Sequence, residues 1–134
     1  CSWFALRAHI PALLVLEQPQ RGREWRVRLA AVCSRTRKST AKAETRVGRT
    51  LVKHKQMQQM FADPEIDVVL LVLPIPMMAQ AVEAALRAGK HVISEKPAAA
   101  SLEAALAILA LQRSLPQPAP VWAVVENWSH KPSE

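Results

Sequence analysis

The sequence predicts an α/β domain in which helices pack on a parallel β-sheet. Residues 68–73 are all valine or leucine, which is the length and composition of a strand buried on both faces. Helical hydrophobic patterns alternate with strand-like segments along the chain. Half of the 134 residues are hydrophobic, so the chain can build a core and is not intrinsically disordered.

The first half of the chain opens with a helical pattern that contains a proline. Pro11 predicts a kink or a break in this helix after Ile10. The segment "WRVRLAAVC" alternates at first and then becomes fully apolar, which is typical of a strand entering a covered sheet. The elements predicted here are a helix over 3–16, a strand over 25–33, a helix over 39–46 capped by Ser39 or Thr40, a strand over 48–52 and a helix over 55–62.

The second half predicts a regular alternation of strands and helices. Pro74 and Pro76 end the central strand, Gly89 caps the helix that follows, and Ser101 is the N-cap of the next helix. Successive strands connected by helices predict a parallel sheet with right-handed crossovers. The elements predicted here are a strand over 67–73, a helix over 77–88, a strand over 91–94, a helix over 101–113 and a strand over 121–125.

The net charge of +7 comes from basic residues concentrated between Arg21 and Lys55. Few aromatic residues are interleaved with them, so we interpret the charge as a solvated surface partly directed at a phosphate group, with nucleic-acid binding as the weaker alternative. Cys1 and Cys33 lie far apart, which predicts neither a disulfide framework nor a metal site and favours a reducing, cytoplasmic setting. No run reaches the roughly 18 apolar residues of a membrane span.

The carboxyl end of the first predicted strand carries a basic loop. In open α/β sheets, ligands bind beyond the carboxyl ends of the strands, and an NAD site usually has an Asp or Glu at this position for the ribose hydroxyls. This chain offers Ser34, Arg35, Arg37 and Lys38 instead. Guanidinium groups bind a 2′-phosphate through paired charge-assisted hydrogen bonds. The loop therefore predicts NADP(H) as the preferred cofactor and NAD(H) as the second choice, with an ordinary solvated loop as the alternative.

A second polar strand end follows residues 91–94. Pro97 prevents the strand from continuing, so Glu95 and Lys96 emerge where it reaches solvent. A lysine at such an edge can donate a proton or hold a substrate hydroxyl, and Glu95 can hold that lysine or the cofactor ribose. The alternative is a Glu–Lys pair in a loop without a chemical role.

Four segments of the chain resemble the Gfo/Idh/MocA family in their order and spacing: "CSWFALRAHIPAL", "PEIDVVLLVLPI", "AGKHVISEKPAAAS" and "VVEN". The resemblance implies a Rossmann-type doubly wound parallel sheet. It also implies an NAD(P)-dependent oxidoreductase that acts on CH–OH or related groups. Such an enzyme transfers hydride between nicotinamide and a small sugar-like or related carbonyl or hydroxyl substrate, with neither nucleic acid nor membrane as a partner.

The resemblance also assigns residues. Lys96 matches the family's catalytic or substrate-positioning lysine and is also expected to contact the cofactor, and Glu95 is expected near the nicotinamide ribose. The other cofactor contacts it implies are Ser2, Trp3 and Phe4 at the pyrophosphate, Leu73 and Pro74 in the cleft, and Asn127 near the nicotinamide.

The chain departs from the family's pattern at its start. The family's first strand and leading glycine do not precede Cys1, so we expect the strands ending at Cys33 and Leu73 each to lack a neighbour. The expectation is a fragment, with one partial NAD(P)-binding domain over 1–134 and without the substrate domain through which a homo-oligomer would form. The alternatives are a non-catalytic dinucleotide-binding protein and an inactive truncated fragment.

Overall fold

A computed structural model describes residues 4–19, 22, 24 and 26–126. The chain divides into two compact units, Cys1–Ile66 and Asp67–Glu134. In each unit, helices pack on parallel strands. Within the described ranges, none of the helices has the length and apolar character needed to cross a bilayer.

The first unit contains a two-stranded parallel sheet. Ala31 lies opposite Val52 and Cys33 opposite His54. A small buried core forms around Ile10, Val32, Ala43 and Leu51. The elements are a π-helical segment Ala5–His9, α1 (Ile10–Glu17), β1 (Ala31–Cys33), α2 (Arg37–Val47), β2 (Val52–His54) and α3 (Met57–Ala62).

The expected break after Ile10 is not observed. The backbone stays helical through His9 and Ile10, and hydrogen bonding changes there from the π to the α pattern. Pro11 lies in the first turn of α1, where a missing N–H costs little because that group has no partner inside the helix. The proline is therefore accommodated at a change of helix type.

Several boundaries in the first unit differ from the sequence prediction, including the start of α3 at Met57 where residue 55 was predicted. Only Ala31–Cys33 of the predicted strand 25–33 is paired, and Trp25 lies outside the described residues. Helix α2 begins two residues early because Thr36 is its N-cap, with Oγ1 accepting a hydrogen bond from the Ser39 N–H at 3.2 Å. Gly48 ends α2 at φ 78°, so β2 begins later than predicted.

Glu17, the last residue of α1, links three segments of this unit. Its carboxylate accepts hydrogen bonds from Arg49 Nη1 at 3.0 Å and Nη2 at 2.6 Å, and from the Leu29 N–H. Arg49 Nη2 also donates to the Leu29 carbonyl oxygen at 2.9 Å. The hydrogen bonds from the Arg49 guanidinium lower the pKa of Glu17 below its ordinary value of 4.5.

We expect Glu17→Gln to lower the free energy of unfolding by about 1–2 kcal/mol near pH 7, because it removes a bidentate charge-assisted pair. A lowered folded-state pKa contributes stability above the unfolded-state value, and that stability is lost as pH falls through the folded value. The difference between wild type and variant should therefore shrink below about pH 4.5. Urea unfolding monitored by circular dichroism between pH 3 and 7 measures this difference in the free energy of unfolding.

The matched control is Glu83→Gln, which removes the exposed i,i+4 pair between Glu83 and Arg87 (2.7 Å). We expect that change to cost less than about 0.5 kcal/mol at every pH. Equal losses from both variants would contradict the structural role given to Glu17.

The second unit contains a three-stranded parallel sheet in the order β3–β4–β5. Leu71 lies opposite Ser94, and Glu95 lies opposite Val125. The elements are β3 (Val68–Leu71), α4 (Ile75–Arg87), β4 (His91–Glu95), α5 (Leu102–Ser114) and β5 (Trp122–Val125). The parallel α/β architecture predicted from the sequence is confirmed.

Helix capping in the second unit agrees closely with the sequence. Ser101 caps α5, its Oγ accepting a hydrogen bond from the Ala104 N–H at 3.2 Å, and Gly89 follows α4 in a left-handed conformation at φ 76°. Helix α4 begins at Ile75, two residues before the predicted start, because Pro76 fits the first turn.

Both strands of the first sheet and the two outer strands of the second have a single paired neighbour in the described part of the chain. Among the described residues, β1 pairs only with β2, and β3 pairs only with β4. The expectation that a family strand is missing beside the strands ending near Cys33 and Leu73 stays a prediction.

Candidate functional site

The loop beyond β1 presents positive charge without a carboxylate. Ser34 is half-buried and Arg35 is exposed, while Lys38 lies in the first turn of α2 and is also exposed. Thr36 turns the chain into the helix, so the N-terminal turn of α2 lies beside these side chains. Cations and a helix N-terminus together are suited to binding an anion.

Glu44 carries the first carboxylate along the chain after this loop, and both of its carboxylate oxygens already have partners. Its Oε2 lies 2.8 Å from Lys53 Nζ, and its Oε1 accepts a hydrogen bond from the Leu51 N–H at 3.0 Å. The hydrogen bond from Lys53 lowers the pKa of Glu44. The positive charge of Arg35 and Lys38 is therefore not neutralised by the nearest carboxylate in sequence.

In the second unit, the carboxyl ends of three parallel strands meet at one edge of the sheet. The register places Leu71 beside Ser94 and Glu95 beside Val125. The half-buried Leu73 follows β3, and Pro74 is the N-cap of α4. The structure thus brings four predicted site residues to this edge: Leu73, Pro74, Glu95 and Lys96.

Glu95 and Lys96 differ in their exposure to solvent. Glu95 is the last residue of β4 and is half-buried, whereas Lys96 is exposed. A carboxylate oxygen of Glu95 accepts a hydrogen bond from the Lys96 backbone N–H at 3.3 Å, and the Lys96–Pro97 peptide bond is cis. An exposed ammonium group beside a strand end is accessible to a substrate oxygen.

Ser94 is a residue of this edge that the sequence analysis did not identify. Its side chain is fully buried, and its Oγ accepts a hydrogen bond from Trp122 Nε1 at 3.0 Å. The bond joins β4 to β5 one residue before Glu95. The alternating pattern of "HVISE" could have identified Ser94, because it places the Ser94 hydroxyl on the same buried face of the strand as Val92.

The remaining predicted positions lie elsewhere. Ser2, Trp3 and Asn127 are outside the described residues. Phe4 precedes the π-helical segment, is 44% exposed, and makes an edge-to-face contact with His9 at a ring-centroid distance of 5.2 Å. Of the described candidates, Phe4 and those of the basic loop belong to the first unit, and those of the β3–β4–β5 edge belong to the second.

Comparison with known proteins identifies relatives of this architecture. The chain is 38% identical over 79 residues to the uncharacterized protein YMR315W of Saccharomyces cerevisiae, covering 59% of this chain and 22% of the yeast protein. Among solved structures, KijD10, a 3-ketoreductase from Actinomadura kijaniata in complex with NADP and TDP-benzene, is 27% identical. It superimposes with a TM-score of 0.71 over 84% of this chain and 32% of its own.

A second solved structure has the same relationship to this chain. The apo scyllo-inositol dehydrogenase from Lactobacillus casei is 25% identical, with a TM-score of 0.69 over 87% of this chain and 32% of its own. The chain thus spans about a fifth to a third of the length of these relatives. Residues 5–120 match the family described as "Oxidoreductase family, NAD-binding Rossmann fold". The chain therefore belongs to the Gfo/Idh/MocA family of NAD-binding oxidoreductases.

Proposed function

We propose that the chain is the cofactor-binding part of an NADP(H)-preferring oxidoreductase that acts on a sugar-like or related carbonyl or hydroxyl compound. The observation that carries the proposal is the loop beyond β1. It offers Ser34, Arg35 and Lys38 and no carboxylate, at the strand end where this fold contacts the adenosine ribose. The few cysteines of the chain support a cytoplasmic location.

The donor set of the loop fits a 2′-phosphate better than a ribose diol. A diol needs a carboxylate to accept its two hydrogen bonds, and Glu44 is held by Lys53 and the Leu51 N–H. A phosphate needs donors, which the Arg35 guanidinium and the Lys38 ammonium group supply. The solved structure of KijD10 with NADP supports the same cofactor.

The β3–β4–β5 edge supplies the groups for proton transfer. When bound, the nicotinamide supplies or accepts the hydride. The Lys96 ammonium group donates a proton to the substrate oxygen during reduction and takes it back during oxidation. Glu95 holds the lysine backbone, and Leu73 and Pro74 provide an apolar wall that limits water.

The substrate class rests on chemistry and on relatives. A ketoreductase complexed with TDP-benzene and an inositol dehydrogenase both interconvert a carbonyl and a hydroxyl group, which is the reaction that one hydride and one proton accomplish. That likeness supports a polyhydroxylated substrate for the protein that contains this chain.

We expect Arg35→Ala to raise the dissociation constant for NADPH by about tenfold or more, because it removes a charge-assisted pair with the phosphate. The dissociation constant for NADH should change by less than about twofold, since NADH lacks that phosphate. Nicotinamide fluorescence titration of the chain measures both constants.

Arg113→Ala is the matched control, since Arg113 is an exposed arginine in α5 of the second unit. It should leave both constants unchanged. Equal weakening of NADPH and NADH binding by Arg35→Ala, or tighter binding of NADH than of NADPH by wild type, would contradict the NADP(H) assignment.

A further inference from the structure

The positive charge of the chain belongs almost entirely to its first unit. Residues 1–66 contain 13 of the 18 lysines and arginines but only 5 of the 11 acidic residues. The unit therefore carries a net charge of +8, whereas the second unit is close to neutral. This asymmetry exceeds what a single phosphate group on a cofactor requires.

Part of this charge forms a row on one helix. Lys38, Lys42 and Arg46 recur every four residues on the exposed face of α2, about 6 Å apart along the axis. Among the described residues, none of the three has a carboxylate partner. Like charges at this spacing destabilise a helix, so the row does not serve the fold.

The row lines a groove of about 620 Å³ between α2 and the π-helical segment. Leu6 and Arg7 line the groove from the π-helical segment, and Ala41 and Thr45 lie beside the cations on α2. The Thr45 hydroxyl donates to the Ala41 carbonyl oxygen at 3.0 Å, so it offers no free donor. We call this surface the basic groove: it is open to solvent, apolar in part, and lined by four cationic side chains.

Three of the five acidic residues of the same unit have basic partners outside the basic groove. Glu17 is bound to Arg49, Glu44 to Lys53, and Asp63 lies 3.2 Å from His54. The row of Lys38, Lys42 and Arg46 is therefore left without a carboxylate partner among the described residues.

We propose that the basic groove binds an acidic helical segment of a partner protein. A helix with carboxylates at positions i, i+4 and i+8 repeats the spacing of the cation row, so three ion pairs can form along about 12 Å. Its small apolar residues would contact Leu6 and Ala41, in the manner of a helix lying in a groove. Lys38 contributes to both this groove and the proposed cofactor loop, and the groove does not depend on the cofactor.

Two other occupants fit less well. A single-stranded nucleic acid needs aromatic platforms for its bases, and among the described residues no aromatic side chain lines the basic groove. A second copy of this chain would have to supply a cluster of acids at four-residue spacing, and its acidic residues are scattered instead. Charge complementarity therefore favours an acidic segment of a partner protein.

The test uses the 134-residue chain and a labelled alanine-based helical peptide with three glutamates at four-residue spacing. We expect fluorescence anisotropy to detect binding that weakens at least tenfold when the glutamates become glutamines. Lys42→Gln with Arg46→Gln should weaken it about tenfold. Raising the salt from about 0.05 M to about 0.3 M should weaken it further.

The matched control is Lys55→Gln with Arg113→Gln, which removes two exposed cations outside the groove. It should change affinity by less than about twofold. Ala41→Glu keeps every cation and adds a negative charge to the groove, so it should also weaken binding of the glutamate peptide. It replaces the Lys42→Gln, Arg46→Gln double variant as the test if that variant does not fold.

Three results would overturn the proposal. The first is that the chain does not bind the glutamate peptide, and the second is that the control variant loses as much affinity for the peptide as the groove variant does. The third is that an oligonucleotide of equal charge binds more tightly than the peptide, in a way that depends on Lys42. The last result would identify the surface as one for nucleic acid.

Discussion

Replacing Lys96 by methionine is expected to lower kcat by about 10²–10⁴-fold in the protein that contains this chain, while cofactor affinity changes by less than about threefold. Methionine keeps the length of the side chain and removes the proton donor. Lys96 is exposed at the end of β4 and its side chain is not part of the core, so the substitution should not affect folding. Nicotinamide absorbance measures turnover, and nicotinamide fluorescence measures binding.

Lys55→Met is the control for removal of an exposed lysine, because Lys55 lies in the first unit and outside the proposed site. It should leave kcat unchanged. If Lys96→Met weakened the binding of NADPH as much as it lowered turnover, Lys96 would be a cofactor contact and not a proton donor. A wild-type protein that binds NADPH but turns over none of a panel of polyols and ketosugars would support the non-catalytic alternative.

The sequence predicts the second unit more accurately than the first because its signals are local. The strand Val68–Leu71 is recognisable from continuous apolar residues, and the ends of α4 and α5 from Gly89 and Ser101. Each of these features depends on residues within one or two helical turns. The same locality places Glu95 and Lys96 at a strand end.

The first unit is harder to predict from sequence because several neighbouring residues could each serve as the N-cap of the same helix. Thr36, Ser39 and Thr40 are all able to cap α2, and only the fold determines that Thr36 does so. The second unit also has one such contact, the hydrogen bond between Trp122 and Ser94, which joins residues 28 positions apart and is not revealed by any local pattern. The basic groove of the first unit likewise requires Arg7 to lie near Lys38, which is 31 positions later in the chain.

The largest expected loss of stability comes from Leu86→Ala in α4. Leu86 is 1% exposed and belongs to the face of α4 that packs on β3, β4 and α5. Truncating a buried leucine removes apolar burial and leaves a cavity, at a cost of about 2–5 kcal/mol. Urea unfolding followed by circular dichroism should show this loss as a lower midpoint with an unchanged slope.

Leu106→Ala in α5 removes the same atoms from a side chain that is 54% exposed, so its cost should stay below about 1 kcal/mol. The contrast matters for the site because α4 supports β3 and β4, and the ends of those strands carry Leu73, Glu95 and Lys96. A destabilised α4 should therefore reduce cofactor binding at 37 °C before it does so at 10 °C. Equal losses from the two leucine variants would mean that α4 does not pack on the sheet as described.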